Sequence, residues 1–199
     1  MEAGKLAELR IVGGHPALDL ANTVAPRQPG PEQREFLPDP AALLRWARRV
    51  GVVAAADVPR VEESWSGTRG AAEAALADVL DLRALVDHTL AGRDLDRLGR
   101  RWAAAIDRSA LLPAGGGAVT LSVGTDPASM IPDRLADALV DLLRHADLSR
   151  LRTCPPDEGG CGWYFLDRSR NLSRRWCSMD DCGAQAKARR LTARRRASR

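Results

Sequence analysis

The chain of 199 residues lacks any long hydrophobic run. No segment approaches the roughly 18 consecutive apolar residues that a membrane-spanning helix needs. The first residues do not show the basic start and apolar stretch of a secretory signal. We therefore expect no membrane partner and a cytoplasmic location. Apolar residues form 45% and charged residues 28% of the sequence, which is the balance of a folded globular protein.

Enzyme signatures are also missing from the sequence. It contains no Gly-rich phosphate loop, no Gly-x-Ser-x-Gly nucleophile turn and no His-Glu-x-x-His metal motif. Histidine occurs only three times, and His88 and His145 lie in helical patterns without a neighbouring nucleophile. We therefore do not expect an enzyme.

Lysine is scarce, since Lys5 and Lys187 are the only two, whereas arginine is abundant. A composition bias would place arginine evenly, but the charge is uneven. Residues 150–199 carry 13 basic and 5 acidic side chains, a balance of +8, while the preceding residues carry a balance of −4. An acidic body followed by a basic segment is typical of a protein that binds a polyanion.

Hydrophobic spacing predicts a mainly α fold of the α+β class. Helical spacing, with capping residues or glycine at the ends, covers residues 17–24, 40–50, 69–90, 95–106 and 132–146. Short strands are predicted at residues 9–12 and 119–123. We therefore expect a helical domain with one or two short strands over residues 1–148, followed by a small domain over residues 149–199.

Cysteine occurs only four times, within 29 residues, as Cys154, Cys161, Cys177 and Cys182. Two close pairs separated by 15 residues are the pattern of a four-thiolate zinc site. Because four thiolates leave no ligand position for water, we predict one structural Zn²⁺ rather than a catalytic one. The alternatives are four buried reduced cysteines or two disulfides, which the expected compartment disfavours.

The segment between the cysteine pairs predicts a hairpin. Trp163–Leu166 has the composition of a strand, Arg168–Ser173 that of a polar turn, and Arg174–Trp176 returns to the metal. A helix is expected after Cys182, so the whole would be a small treble-clef-like zinc finger made of a β-hairpin and a helix. The aromatic side chains either stack on bases or fill a small core around the metal, and the core role is favoured.

This C-terminal segment resembles the CGNR zinc finger of bacterial proteins. The residues that carry the resemblance are Cys161–Asn171, Ser173–Met179, Cys182–Gly183 and Ala186–Arg190. The start of the chain resembles the ABATE domain that precedes this finger, through Val12–His15, Leu18–Leu20 and Asn22–Thr23. The resemblance implies a stress-induced transcription regulator, in which the finger binds DNA and the other domain senses a signal.

Two departures from the family pattern concern DNA affinity rather than metal binding. The Cys-Gly-Asn-Arg motif is Cys182-Gly183-Ala184-Gln185 here, so one amide and one guanidinium are missing. Gln185 can still donate a hydrogen bond to a phosphate, but it carries no charge. Residues 155–160 also expand the first cysteine pair relative to the spacing that the family implies. We expect zinc binding to tolerate both changes.

Basic side chains crowd the turn of the finger and the helix after it, which suits the neutralisation of nucleic-acid phosphates. Asn171 can contact an adenine edge, although in a turn such a residue more often stabilises the backbone. The candidate nucleic-acid contacts, most simply to DNA, are Arg168, Arg170, Asn171, Arg174, Arg175, Gln185, Lys187, Arg189 and Arg190, with the run continuing to Arg199. Alternatively, the finger is a protein-interaction or dimerisation module, which would make a homodimer.

A polar stripe lies near the start of the chain. If the helix over 17–24 begins near His15, then His15, Asp19 and Asn22 share one face. This face would form either a pocket wall for a small-molecule effector or the solvated side of a capped helix start, and the residues alone favour the capped helix. A small-molecule-binding protein or enzyme that uses this face is therefore the second alternative.

Overall fold

The computed structural model describes residues 2–197, so Arg199, the last residue of the expected basic tail, lies outside the described residues. The chain divides into two compact units. The finger unit comprises Met1–Phe36 and Asp147–Arg199, and the helical unit comprises Leu37–Ala146. The expected class, mainly α with short strands and a small finger, is confirmed. Within residues 2–197, every helix is too short or too polar to cross a membrane.

The described residues contain seven α-helices and seven strands. The helices are α1 Pro16–Ala21, α2 Pro40–Arg49, α3 Val58–Gly67, α4 Ala71–Leu90, α5 Leu95–Asp107, α6 Met130–His145 and α7 Ala184–Ala197. The strands are β1 Glu2–Ala3, β2 Val24–Ala25, β3 Arg34–Glu35, β4 Ala110–Gly115, β5 Ala118–Ser122, β6 Leu151–Thr153 and β7 Tyr164–Leu166. A single π-helical turn, Met179–Gly183, precedes α7.

The helical unit is built around α2, α4, α5 and α6, all of which the spacing predicts. In α2, Asp39 accepts a hydrogen bond from the Ala42 amide at 2.7 Å, and Pro40 occupies the first turn, which is a favoured helix start. The α2 side chains Leu43 and Trp46 are fully buried. The core of this unit also contains Val79, Leu82, Val86, Leu135 and Leu139.

The sheets are small, and the finger hairpin is not the expected one. β1 pairs in parallel with β3, which pairs antiparallel with β2, and β4 pairs antiparallel with β5. β7 pairs antiparallel with β6, so that Leu151 lies opposite Leu166. The predicted return strand at Arg174–Trp176 is therefore wrong. The true partner precedes the first cysteine and, at three residues, is too short to produce a periodic signal.

Other differences from the predictions are local. Residues 9–12 form an irregular segment and no strand. Leu9 of this segment is buried, at 1% exposure. The first helix ends at Ala21 rather than at residue 24, and Asn22 follows as its cap. The spacing analysis did not identify α3 or β4.

Residues 1–36 pack with the zinc finger in one unit. The sequence analysis, which divides the chain at residue 148, places them in the helical domain instead. The Trp163 indole donates to the Val24 carbonyl at 2.8 Å, and the Arg27 amide donates to the Cys161 carbonyl at 2.9 Å. Phe165 and Trp176 are buried, which confirms a core role for them.

Candidate metal centre and basic surface

The four cysteines converge in one cluster. Their Sγ atoms all lie within 4.8 Å of one another. The separation is 3.4 Å between Cys161 and Cys177 and 3.7 Å between Cys177 and Cys182. Tetrahedral zinc with Zn–S bonds of about 2.3 Å places its sulfur atoms about 3.8 Å apart, so the cluster has the size of a zinc site. None of the four cysteines forms a disulfide in the structure, and the disulfide alternative is therefore wrong.

Two knuckles bring the sulfur atoms together. In the first, the Cys154 amide donates to the Trp163 carbonyl at 2.9 Å and the Gly162 amide donates to the Cys154 carbonyl at 3.1 Å. Gly160 makes this closure sterically feasible, because a Cβ there would lie 2.7 Å from Cys154 Sγ. The second knuckle is the π-helical turn, where the Gly183 amide donates to the Ser178 carbonyl at 3.0 Å.

The thiols hydrogen-bond to one another, and these contacts shift their pKa values in opposite directions. Hydrogen bonding, led by the contact with Cys161, lowers the pKa of Cys154, whereas the contact with Cys154 raises the pKa of Cys161. Four thiolates so close together repel one another, so they need a cation to share one site that is mostly buried. The donor set of four sulfurs fits one structural Zn²⁺ held by all four cysteines, which would supply folding free energy to the finger unit.

The half-buried Arg174 supports the second cysteine pair of the metal cluster. Its side chain donates to the Trp176 carbonyl at 3.1 Å and also to the carbonyl of the ligand Cys177. Its guanidinium lies 4.6 Å from the centre of the Phe165 ring, within cation–π range. Arg174, which the sequence analysis predicts to contact nucleic acid, therefore holds the second knuckle in place.

The turn at residues 168–173 is organised by Asp167, which is fully buried. Its carboxylate accepts hydrogen bonds from the Ser169 amide at 2.8 Å and the Arg174 amide at 2.9 Å. The hydrogen bond with Ser169 lowers the pKa of Asp167, so the carboxylate keeps its charge. Asn171 is exposed, and the backbone-stabilising role expected of it belongs to Asp167.

Three predicted basic contacts surround the short turn Pro156–Glu158. Arg175 and Arg190 both pair with the Glu158 carboxylate, the second at 2.9 Å. Arg189 donates to the Gly159 carbonyl at 2.6 Å. The structure therefore brings the segment before Cys177 and the helix α7 together around one carboxylate.

The remaining predicted nucleic-acid contacts differ in whether they already bond to other residues of the protein. Arg168 donates to the Gly14 carbonyl at 2.7 Å, and Gln185 donates to the Asp181 carboxylate at 2.5 Å. Arg170 and Lys187 are exposed, and neither has a hydrogen bond or ion pair with the part of the chain that the structure describes.

Arg10 is a contributor to the site that the sequence analysis missed. Its guanidinium donates to the Ser178 hydroxyl at 3.0 Å and forms an ion pair with Asp181, next to the ligand Cys182. No local spacing signals this contact, because 168 residues separate Arg10 from Ser178.

The polar stripe is engaged in internal hydrogen bonds. His15 Nδ1 accepts from the Ala17 amide at 3.3 Å, and Asp19 accepts from the Gly13 amide at 2.8 Å. Asn22 is fully buried and makes two hydrogen bonds with the backbone of Tyr164 in β7, at 2.8 and 2.9 Å. These contacts match a capped helix start that also attaches α1 to the finger. The expected solvated face is wrong, because Asp19 and Asn22 are buried. A ligand role for this face stays a prediction.

Comparison with known proteins supplies the family. Residues 14–146 match the model of the ABATE family, described as "Putative stress-induced transcription regulator", and residues 150–195 match the CGNR zinc finger. Neither of these is an enzyme family. No curated protein gives a match. Because the first model covers well over half of the chain and the second covers the cysteine cluster, this protein belongs to the ABATE family and carries a zinc-binding CGNR finger at its C-terminal side.

Proposed function

We propose that this protein is a cytoplasmic transcription regulator that binds DNA through its zinc-stabilised finger and responds to a small molecule bound by its helical unit. One observation carries the DNA-binding part. Among the side chains of residues 150–196 that the structure describes, which leave out Arg194, eight exposed basic ones accompany only two exposed acidic ones, Asp157 and Asp180. The exposed basic residues are Arg168, Arg170, Arg175, Lys187, Arg189, Arg190, Arg195 and Arg196.

Internal contacts distinguish two groups among four of these side chains. Arg170 and Lys187 can contact phosphates without breaking any interaction within the described chain. Arg175 and Arg190 share one carboxylate, so they retain positive charge in excess of it. A duplex offers a dense row of phosphates that both groups can neutralise.

A salt titration of duplex DNA binding tests this proposal. For the zinc-loaded protein, log Kd should rise linearly with log salt concentration, and the Arg170→Ala/Lys187→Ala double variant should reduce the slope by about 2. Arg100→Ala, which removes an exposed charge from the helical unit, is the matched control and should bind like the wild type. DNA binding that is absent or insensitive to salt would reject the proposal and favour the protein-interaction alternative. Tighter binding to RNA than to DNA would also contradict it.

Gln185, which departs from the family motif, provides a variant that should strengthen DNA binding rather than weaken it. Gln185 is exposed and lies in the first turn of α7, where it bonds to Asp181 of the charge pair Arg10–Asp181. Gln185→Arg adds a cation at the position of the family arginine, so it should tighten DNA binding and steepen the salt dependence by about 1. An unchanged slope would mean that this position does not face the phosphates.

A cleft between α2 and α3 supports the sensing part of the proposal. It has a volume of about 480 Å³, and its walls include Leu44, Val58 and Trp65 together with Arg45, Arg48 and one carboxylate, Glu62. An apolar floor beside two guanidinium groups suits an anion with an aromatic or aliphatic body.

The anionic aromatic dye anilinonaphthalene sulfonate can probe this cleft. Its fluorescence should increase on binding, and Arg45→Ala/Arg48→Ala should abolish most of the increase. Arg49→Ala, on the same helix but outside the cleft, is the control. Equal fluorescence in all three proteins would remove the cleft as the effector site. A response lost instead in Asp19→Ala would favour the stripe of His15, Asp19 and Asn22.

A further inference from the structure

The hairpin of β4 and β5 exposes an apolar face. Leu111 lies opposite Leu121, and Pro113 lies opposite Val119. Because alternate residues of a strand share a face, these four side chains lie on one side of the hairpin. Leu111 is 69%, Val119 65% and Leu121 44% exposed. A cluster of this kind on a folded protein usually marks an interaction surface.

The hairpin is held at its base and closed at its tip. The Thr125 hydroxyl donates to the Arg108 carbonyl at 2.9 Å, and Arg134 donates to the Val123 carbonyl at 3.0 Å. At the tip, Gly115–Gly117 all have positive φ angles between 57° and 84°, a conformation that glycine adopts without strain. The apolar face is therefore presented in a defined position on the helical unit.

The charge pattern selects the partner of this face. Between Arg108 and Asp126 the sequence has no charged residue, although charged residues form 28% of the chain. An acidic or basic partner would find no opposite charge here, whereas an uncharged apolar surface is complementary to itself. Pro113 lacks a backbone N–H, which weakens β4 as an edge for strand pairing and favours packing through the face instead.

We propose that this face packs against the same face of a second copy of the chain around a two-fold axis. A hairpin face about 17 Å long buries less area than the roughly 800 Å² per partner of a standard interface, so we expect a weak dimer that depends on protein concentration. The inference does not depend on DNA binding.

Sedimentation velocity of the full-length zinc-loaded protein over a range of concentrations tests the dimer. The average mass of the wild type should rise from one chain towards two. Leu121→Glu places a charge in the proposed interface and should weaken self-association at least about tenfold. Thr120→Glu adds the same charge to the adjacent residue on the opposite face and should behave like the wild type.

Three outcomes would overturn the proposal. They are a wild type that stays monomeric at all concentrations, a Leu121→Glu variant that associates normally, and an equal loss in Thr120→Glu, which would indicate edge pairing instead. Leu121 and Thr120 are both exposed, and circular dichroism of each variant verifies that the fold is retained.

Discussion

Asp19 is a buried carboxyl whose pKa is raised from 3.8 to about 6, chiefly because burial disfavours its charged form. Hydrogen bonds from the Gly13 and Val12 amides oppose this shift without cancelling it. The folded state therefore binds a proton more tightly than the unfolded state. The contribution of Asp19 to stability is complete below about pH 4 and decreases as the pH rises through 6.

We expect Asp19→Asn to change the pH dependence of stability in this direction. Asparagine cannot ionise, so the free energy of unfolding of the variant relative to the wild type should increase by up to about 3 kcal/mol between pH 4 and pH 7. Urea unfolding of both proteins at the two pH values measures this difference, in which shared effects of zinc release cancel. A constant difference would show that Asp19 titrates normally.

Gly160 leads to a second prediction at the scale of the residue. A Cβ there would lie 2.6 Å from the Pro155 carbonyl oxygen and 2.7 Å from Cys154 Sγ. Gly160→Ala should therefore displace the first knuckle and weaken zinc affinity by about 10- to 100-fold, measured by competition with a chromogenic chelator. Gly30→Ala, where a Cβ meets nothing within 4 Å, should keep wild-type affinity. Equal affinity in both variants would mean that the knuckle adapts.

At the scale of the element, Asn22 attaches α1 to β7. The amide of this fully buried side chain both donates to and accepts from the Tyr164 backbone. Asn22→Ala removes both of these part-buried hydrogen bonds and should lower the stability of the finger unit by about 1–3 kcal/mol. Denaturant unfolding measures this loss, together with faster hydrogen exchange of the Tyr164 amide. The exposed Asn171→Ala is the matched control, and a similarly small loss in both would contradict the attachment.

At the scale of the whole molecule, the finger unit and the helical unit should respond differently to loss of zinc. Because residues 1–36 pack with the finger, we expect Cys177→Ser to release zinc and expose both 147–197 and α1 to hydrogen exchange. The helical unit has its own buried core and should stay protected. Metal analysis and hydrogen-exchange mass spectrometry check both parts. Stoichiometric zinc in this variant would contradict the ligand set, and continued protection of α1 would mean that it folds without the finger.

The spacing of residues along the chain was sufficient to predict those elements whose structure is decided by neighbouring residues. The cysteine pairs predicted the metal cluster, and helical periodicity predicted α2, α4, α5 and α6, because ligand knuckles and amphipathic helices are short-range patterns. Very short strands carry no such pattern. The three-residue β6 and the two-residue β3 form only because a partner strand accepts their backbone hydrogen bonds.

The sequence by itself determined that this protein has a helical body, one four-cysteine zinc site and a basic C-terminal segment. Only the tertiary structure decided that residues 1–36 support the finger, that Arg174 holds a metal knuckle, and that Arg170 and Lys187 have no partner in the described chain. The physical reason is distance along the chain. Contacts such as Asn22 with Tyr164, 142 residues apart, depend on how complete elements pack and leave no periodic trace in either segment.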